Sequence, residues 1–179
     1  MHHNPASQRE RDPPRQLRYW CVMSSPNYVE GGPGWRIRST DLRPEITDLE
    51  AFRSVLRRDP LLDAIEALWG GDPTGALSLL ADQPDTFRVR ALRADCQRDL
   101  GDHDVAVAEY DLLVEAVAGS PREAVIRQHR GKALLAAGRA GAALEDFTRV
   151  VDLRDGGDPT LLASAVQALE AARAAAEGC

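Results

Sequence analysis

The side chains that could perform acid–base or metal chemistry are few and lie far apart. His103 stands between two aspartates at a predicted helix start, and His129 stands in a basic stretch that includes Lys132. Neither histidine belongs to an H-E-x-x-H motif or to another spacing of metal ligands. We therefore interpret both as histidines of charged helix surfaces, and we expect neither a metal site nor catalysis from them.

The cysteines indicate neither a disulfide nor a reactive thiol. The chain has three, Cys21, Cys96 and Cys179, and no two of them have C-x-x-C spacing. A disulfide framework and a zinc site are both unsupported by this pattern, which fits a reducing cytoplasm. Cys96 falls in line with Val89 and Leu92 on a predicted helix, which favours a small core residue over a nucleophile.

Motifs for cofactor binding are missing from the sequence as well. There is no G-x-S-x-G, phosphate loop or dinucleotide fingerprint. Gly31-Gly32-Pro33-Gly34 is rich in glycine, but no predicted strand precedes it and no predicted helix opens directly after it. We interpret this run as a linker, and we expect a protein without a cofactor and without enzyme activity.

Composition favours helices and argues against two classes of partner. Hydrophobic residues make up 44% of the chain but aromatic residues only 5%, which suits closely packed helices better than strands. Residues 1–47 carry seven arginines against five acidic residues, whereas residues 48–179 carry fifteen basic and twenty-three acidic residues. A folded part this acidic repels phosphate backbones, so we expect no nucleic-acid partner.

No stretch approaches the roughly 18 apolar residues of a membrane span, and the pattern of a signal peptide is not seen. We therefore expect a cytoplasmic protein with no membrane partner. The single Lys132 against twenty-one arginines indicates a bacterial genome of high GC content.

The chain divides at about residue 46. Residues 1–46 contain six prolines and no sustained period of 2 or 3.6, which predicts an irregular, largely disordered tail. Trp35 and its aromatic neighbours leave a second possibility, that part of 28–46 lies against the folded body. Residues 1–22 are expected to be dispensable for folding, and Met23 is an alternative start of translation.

Residues 47–179 show the periodicity of helices. Capping-box patterns stand at Thr47–Glu50 and Ser120–Glu123, and Asp-Pro pairs at 59–60, 72–73 and 158–159 mark further helix starts. No segment alternates over the length of a strand. The sequence predicts an all-α protein with seven or eight helices between about 47 and 176.

One spacing occurs three times at predicted joints between helices. It consists of a turn glycine, an alanine five residues later and a large apolar residue four positions beyond that. The glycine permits a tight turn, the alanine permits close helix approach, and the large residue fills the space beside the next pair. The three copies are Gly71/Ala76/Leu80, Gly101/Ala106/Tyr110 and Gly138/Ala143/Phe147.

Residues 87–153 resemble the tetratricopeptide repeat family. Gly131 matches its small-residue position seven residues before Gly138, and Ala143 and Phe147 match its A-x3-F. The turn glycines are 30 and 37 residues apart where the family period is 34, and the family's Trp and Tyr positions are unfilled. The resemblance implies a short solenoid of antiparallel helix pairs, capped by a helix over 159–176; the alternative is a generic Ala/Leu-rich helical bundle.

The resemblance also implies a function and a binding surface. Similar proteins bind partner segments on the concave side, so we expect a non-enzymatic interaction module that binds another protein or a peptide, such as an acidic or C-terminal segment. Reversal of Arg98 and Lys132 to Glu is expected to weaken binding ten-fold or more, about 1.4 kcal/mol, without altering the melting curve. Two alternatives stay open: solvated charges without a binding role, and a small enzyme or accessory subunit with an unrecognised site. Carried over by position, the groove residues are Arg88, Asp95, Arg98, Gln128 and Lys132.

Overall fold

Three short strands precede eight helices in the part of the chain that the computed structural model describes, residues 27–178. The expected helical protein is confirmed in this coarse sense. The expectations for residues 1–22, for Cys21 and for Cys179 fall outside the described residues. The strands are β1 (Tyr28–Gly32), β2 (Trp35–Arg38) and β3 (Pro44–Ile46), and the helices are α1 (Leu49–Leu56), α2 (Leu62–Trp69), α3 (Pro73–Leu80), α4 (Phe87–Leu100), α5 (His103–Val117), α6 (Glu123–Ala136), α7 (Ala140–Arg154) and α8 (Pro159–Glu177).

The strands form an antiparallel sheet in the order β1-β2-β3. Within residues 28–46, this corrects the expectation of an irregular segment, and it corrects the expectation that the protein has no strand. The glycine-rich run is not a linker, because its first two glycines end β1 and Gly34, with φ +80°, makes the hairpin turn. A Cβ on Gly31 would lie 2.1 Å from Cζ3 of Trp35, so only glycine lets that ring cross the strand.

The sheet packs on two helices that are far apart in the sequence, α2 and α8. Strand β3 contacts α2, and strand β1 contacts α8. Trp35 lies against Trp69 of α2 with ring centroids 4.8 Å apart. Leu42, between β2 and β3, is buried in the main helical core. Residues 28–46 therefore lie against the helices, which is the second of the two possibilities that the sequence left open.

Three helix starts follow the polar signals of the sequence. Two others do not: α6 begins at Glu123, inside the predicted capping box, and α2 begins at Leu62, after the predicted start, and no side chain caps either helix. Asp72 accepts from the N–H of Gly75 at 2.8 Å, and Asp158 accepts from the N–H of Thr160 at 2.8 Å. Asp48, one residue after the predicted Thr47, caps α1. These side chains satisfy N–H groups that the first turn of a helix leaves free.

The repeated spacing works as predicted at all three joints. Gly71, Gly101 and Gly138 have φ values of +89°, +94° and +73°, in the left-handed region where glycine is favoured. The alanine and the large residue of each copy are fully buried, with 0% of their surface exposed. From α2 onward each helix packs on the next one in the chain.

Alternate helices also meet, because α6 contacts both α4 and α8. These three form one layer, and the sheet reaches this layer through α8. No helix among residues 27–178 combines the length and the apolar character needed to cross a membrane.

Candidate functional site

A cavity of about 520 Å³ lies between the sheet and helices α2, α4, α6 and α8. Its wall near α2 is largely apolar and includes Trp35, Leu68 and Trp69. Its wall near α8 is polar and basic, and includes Lys132 and Arg154. Helices α4, α6 and α8 face this cavity, and the N-terminal sheet forms another part of its wall.

Four of the five residues predicted for the groove line this cavity together. They are Asp95 and Arg98 of α4 and Gln128 and Lys132 of α6. Residues three or four apart share one face of a helix, and the contact between α4 and α6 brings the two faces together. Arg88 is not part of this wall; it is half exposed and pairs with Asp59, with Nη1 2.9 Å from Oδ1.

These four side chains are buried, with 5% to 9% of their surface exposed. The alternative of solvated charges is therefore wrong for them, and among the predicted groove residues it holds for Arg88 alone. Ser164 and Gln167 of α8 are buried as well. Strand β1 packs on the same helix.

Asp95 is the centre of a buried hydrogen-bond cluster. Its Oδ1 accepts from Nη1 of Arg98 at 2.8 Å and from the hydroxyl of Tyr110 at 2.9 Å, and its Oδ2 lies 2.9 Å from Nδ1 of His129. Burial raises the pKa of Asp95, but Arg98 and His129 outweigh that effect and hold the pKa well below its ordinary value. An ionised carboxylate only accepts, so Nδ1 of His129 carries the hydrogen and its Nε2 is the nitrogen left free in the neutral ring.

His129 is therefore not a simple surface histidine. Two-thirds of its side chain is covered, and its ring stacks on Tyr110 with centroids 6.1 Å apart. The contact of His129 with Asp95 spans 34 residues of sequence, so no local pattern predicts it. The one available signal was that His129 stands three residues before Lys132, and therefore on the same face of α6.

Asp99 completes the pairing of the α4 charges. It accepts from Nε of Arg98 at 2.8 Å and lies 3.2 Å from Nη2 of Arg43, which precedes β3. Both carboxylates of α4 that line the cavity are thus matched with cations. Pairing of this kind is what makes buried charges tolerable.

Lys132 differs from these groups because no hydrogen bond or ion pair joins it to any described residue. Burial lowers the pKa of its ammonium to about 8, and the neighbouring positive charge of Arg98 acts in the same direction. A buried cation without a partner is uncommon in a folded protein.

Arg154 is a second cation of the cavity that sequence reasoning missed. Its Nη1 donates to the carbonyl of Leu161 at 2.9 Å and to the side-chain oxygen of Gln128, both neutral acceptors. Nε2 of Gln128 donates to Oγ of Ser164 at 2.7 Å. Burial lowers the pKa of Arg154, while Asp158 acts in the opposite direction without forming an ion pair with it in the structure.

The remaining candidates of the sequence, Cys96 and His103, do not line the cavity. Cys96 is fully buried, as predicted, and burial raises the pKa of its thiol to about 12, so the reactive thiolate is not populated near neutral pH. His103 opens α5 and does not line the cavity. Among residues 27–178, no three His, Cys, Asp or Glu side chains are arranged to hold a metal ion.

Comparison of the chain with protein-family models, with curated proteins and with solved structures finds no match.

Proposed function

We propose that this chain is a non-enzymatic interaction module, built as a short tetratricopeptide-like stack of helix pairs, that binds an acidic segment of a partner protein in the cavity between the sheet and α4, α6 and α8. The three glycine joints, the buried alanines after them and the contact of Gly131 with Phe147 support the stacked architecture. The observation that carries the binding role is the cavity itself, whose basic wall holds Lys132 and Arg154 without a carboxylate partner among the described residues.

The shape of the cavity supports an extended ligand. It crosses α4, α6 and α8 in turn, and packed helix axes lie 8–10 Å apart, so it extends over roughly 16–20 Å. This is the length of about five or six residues of extended chain. The apolar wall near Trp35 and Trp69 provides contact area, and the basic wall provides charge complementarity to an acidic segment.

The test uses fluorescence polarisation with three sets of labelled hexapeptides: acidic, neutral and basic. Acidic peptides are expected to bind the wild-type chain with the highest affinity. Lys132→Met is expected to weaken that binding ten-fold or more, about 1.4 kcal/mol, whereas Arg173→Met, an exposed residue of α8 outside the cavity, leaves it unchanged. Equal affinity for all three peptide sets, or an unchanged affinity in Lys132→Met, overturns the proposal.

A small enzyme, or an accessory subunit of one, is a second candidate because the Asp95–His129 pair opens into the same cavity. A carboxylate that orients an imidazole is a common arrangement for a general base. Turnover of an activated ester by the purified chain, lost in His129→Gln and kept in His103→Gln, would support this reading. The absence of turnover, together with peptide binding, would leave the interaction module.

A further inference from the structure

Two positive charges line the α8 end of the cavity, and neither forms an ion pair with a carboxylate of residues 27–178. Lys132 is nine-tenths buried and has no hydrogen bond or ion pair among the described residues. Arg154 uses only Nη1, on two neutral oxygens, which leaves Nη2 and Nε without a described acceptor. The two cations are close enough for Arg154 to lower the pKa of Lys132.

None of the acidic groups described nearby forms an ion pair with Lys132 or Arg154. Asp95 already contacts Arg98, Tyr110 and His129 through hydrogen bonds. Asp99 already pairs with Arg98 and Arg43. On the sheet, Glu45 pairs with Arg36 at 2.9 Å. Glu30 of β1 lines the cavity and is exposed, and it forms no ion pair with Lys132 or Arg154. Asp158 acts on the pKa of Arg154 without forming an ion pair with it. The charged groups that act on Lys132 from α4 and α7 are Arg98, Asp95, Asp99 and Arg154.

Neutral donors stand beside the two cations. Ser164 accepts the hydrogen bond from Gln128, so its own hydroxyl hydrogen stays available to donate. The site thus offers an ammonium, one edge of a guanidinium and a hydroxyl, all donors and all facing one cavity. Charge-assisted donors of this kind recognise the oxygens of carboxylates and phosphates.

We infer that Lys132, Arg154 and Ser164 form a binding site for a single oxyanion, a carboxylate or a phosphate. This inference rests on the proposed function in one respect, since it identifies the subsite where an acidic segment places its charge. The bound oxyanion supplies the counter-charge that the buried ammonium lacks, and it spans the gap between the cations of α6 and α7.

Isothermal titration calorimetry of the full chain with sodium acetate, sodium succinate and sodium phosphate, at constant ionic strength set with chloride, tests the site directly. Saturable binding of at least one of these anions is expected. Stronger binding of acetate or succinate identifies a carboxylate site, and stronger binding of phosphate identifies a phosphate site. Affinity is expected to fall as the pH rises through about 8, because Lys132 loses its proton there.

Lys132→Met and Arg154→Met are expected to reduce the anion affinity ten-fold or more, while Lys132→Arg, which keeps the charge, retains binding, and Arg173→Met matches the wild type. Thermal melts of each variant establish that it is folded. No saturable binding of any of the three anions, or equal affinity in Lys132→Met and Arg173→Met, overturns the inference. Anion binding without peptide binding would overturn the proposed function alone.

Discussion

Gly131 of α6 lies directly against the ring of Phe147 of α7, so closely that a Cβ at position 131 would come within 2.5 Å of Cε1. The ring cannot move aside easily, because Phe147 is fully buried in the main core. The closest approach of α6 and α7 therefore depends on the hydrogen of one glycine. This close contact explains why a small residue is needed at position 131, seven residues before the turn glycine Gly138.

Gly131→Ala is expected to lower the free energy of unfolding by about 1–3 kcal/mol, the usual cost of forcing an extra methyl group into a packed core. Gly141→Ala is the matched control, because Gly141 is also helical and a Cβ there would meet nothing within 4 Å. That control is expected to stabilise the chain by roughly 0.5–1 kcal/mol, since alanine loses less entropy in a helix. Urea unfolding measures both, and a Gly131→Ala variant as stable as Gly141→Ala would contradict the packing argument.

Arg98 and Arg88 lie ten residues apart on α4 and provide a second matched pair. Arg98 is 6% exposed and bridges Asp95 and Asp99, so Arg98→Met leaves two buried carboxylates short of a cation. The loss is expected to be about 3–5 kcal/mol. Arg88→Met removes a half-exposed pair with Asp59 and is expected to cost at most about 1 kcal/mol.

Thermal and urea unfolding measure the free energy of unfolding of both variants. An equal decrease in Arg98→Met and Arg88→Met would show that the buried ion pairs of Arg98 stabilise the chain no more than the exposed pair of Arg88. This replaces the expectation that Arg98 and Lys132 can be reversed to Glu without a change in the melting curve. Reversal at Arg98 would place a third carboxylate beside Asp95 and Asp99. Binding experiments therefore need substitutions at Lys132 and Arg154 instead.

Lys132 should give stability a distinct pH dependence. Its pKa is about 8 in the folded chain and 10.5 when unperturbed, so between these values the unfolded chain binds more protons. The contribution of Lys132 to the free energy of unfolding is therefore expected to rise from pH 8 toward pH 10.5. It is measured as the difference between the wild type and Lys132→Met, because the raised pKa of Cys96 gives both chains an opposite trend at alkaline pH. Below pH 8 the buried ammonium costs up to about 3 kcal/mol.

Lys132→Met removes this cost, so that variant is expected to be more stable than the wild type at pH 7 and to lose the rise above pH 8. Lys132→Arg keeps a charge at every pH in the range and is the control that stays destabilised. Urea unfolding at several pH values, in chloride buffers without carboxylate or phosphate, provides the comparison. Parallel profiles for wild type and Lys132→Met would show that Lys132 does not titrate in this range.

Several turns and helix starts could be predicted from the sequence, because each depends on the backbone conformation of a few neighbouring residues. Gly71, Gly101 and Gly138 could be predicted because a tight turn between helices needs a positive φ, which glycine favours. Asp72 and Asp158 could be predicted as caps because a free N–H in the first helical turn attracts a carboxylate. Asp95, Arg98, Gln128 and Lys132 were predicted to lie together from their positions in the family resemblance, and they line one cavity in the structure.

The sheet and half of the basic wall could not be predicted. Strands of three to five residues that include Gly31 and Pro44 are too short to show alternation. Arg154 stands in the last turn of α7, where a basic side chain is ordinary because it complements the helix dipole. His129 finds Asp95 across 34 residues of sequence, a contact made by tertiary packing alone.

The last prediction concerns the sheet as a wall of the cavity. Trp35 of β2 and Trp69 of α2 have ring centroids 4.8 Å apart at an angle of 43°, close and tilted enough for their excited states to couple. The folded chain is expected to show an exciton couplet in its far-ultraviolet circular dichroism spectrum. Trp35→Phe and Trp69→Phe should each abolish it, since coupling requires both indoles. Trp35 lies against Gly31 of β1 and lines the cavity. If the sheet stays packed on α2 until the helices unfold, the couplet and the helical signal should be lost at the same temperature. A couplet that survives either substitution would show that it does not arise from this pair. A couplet that disappears well below the helical transition would show that the sheet does not hold its place on α2.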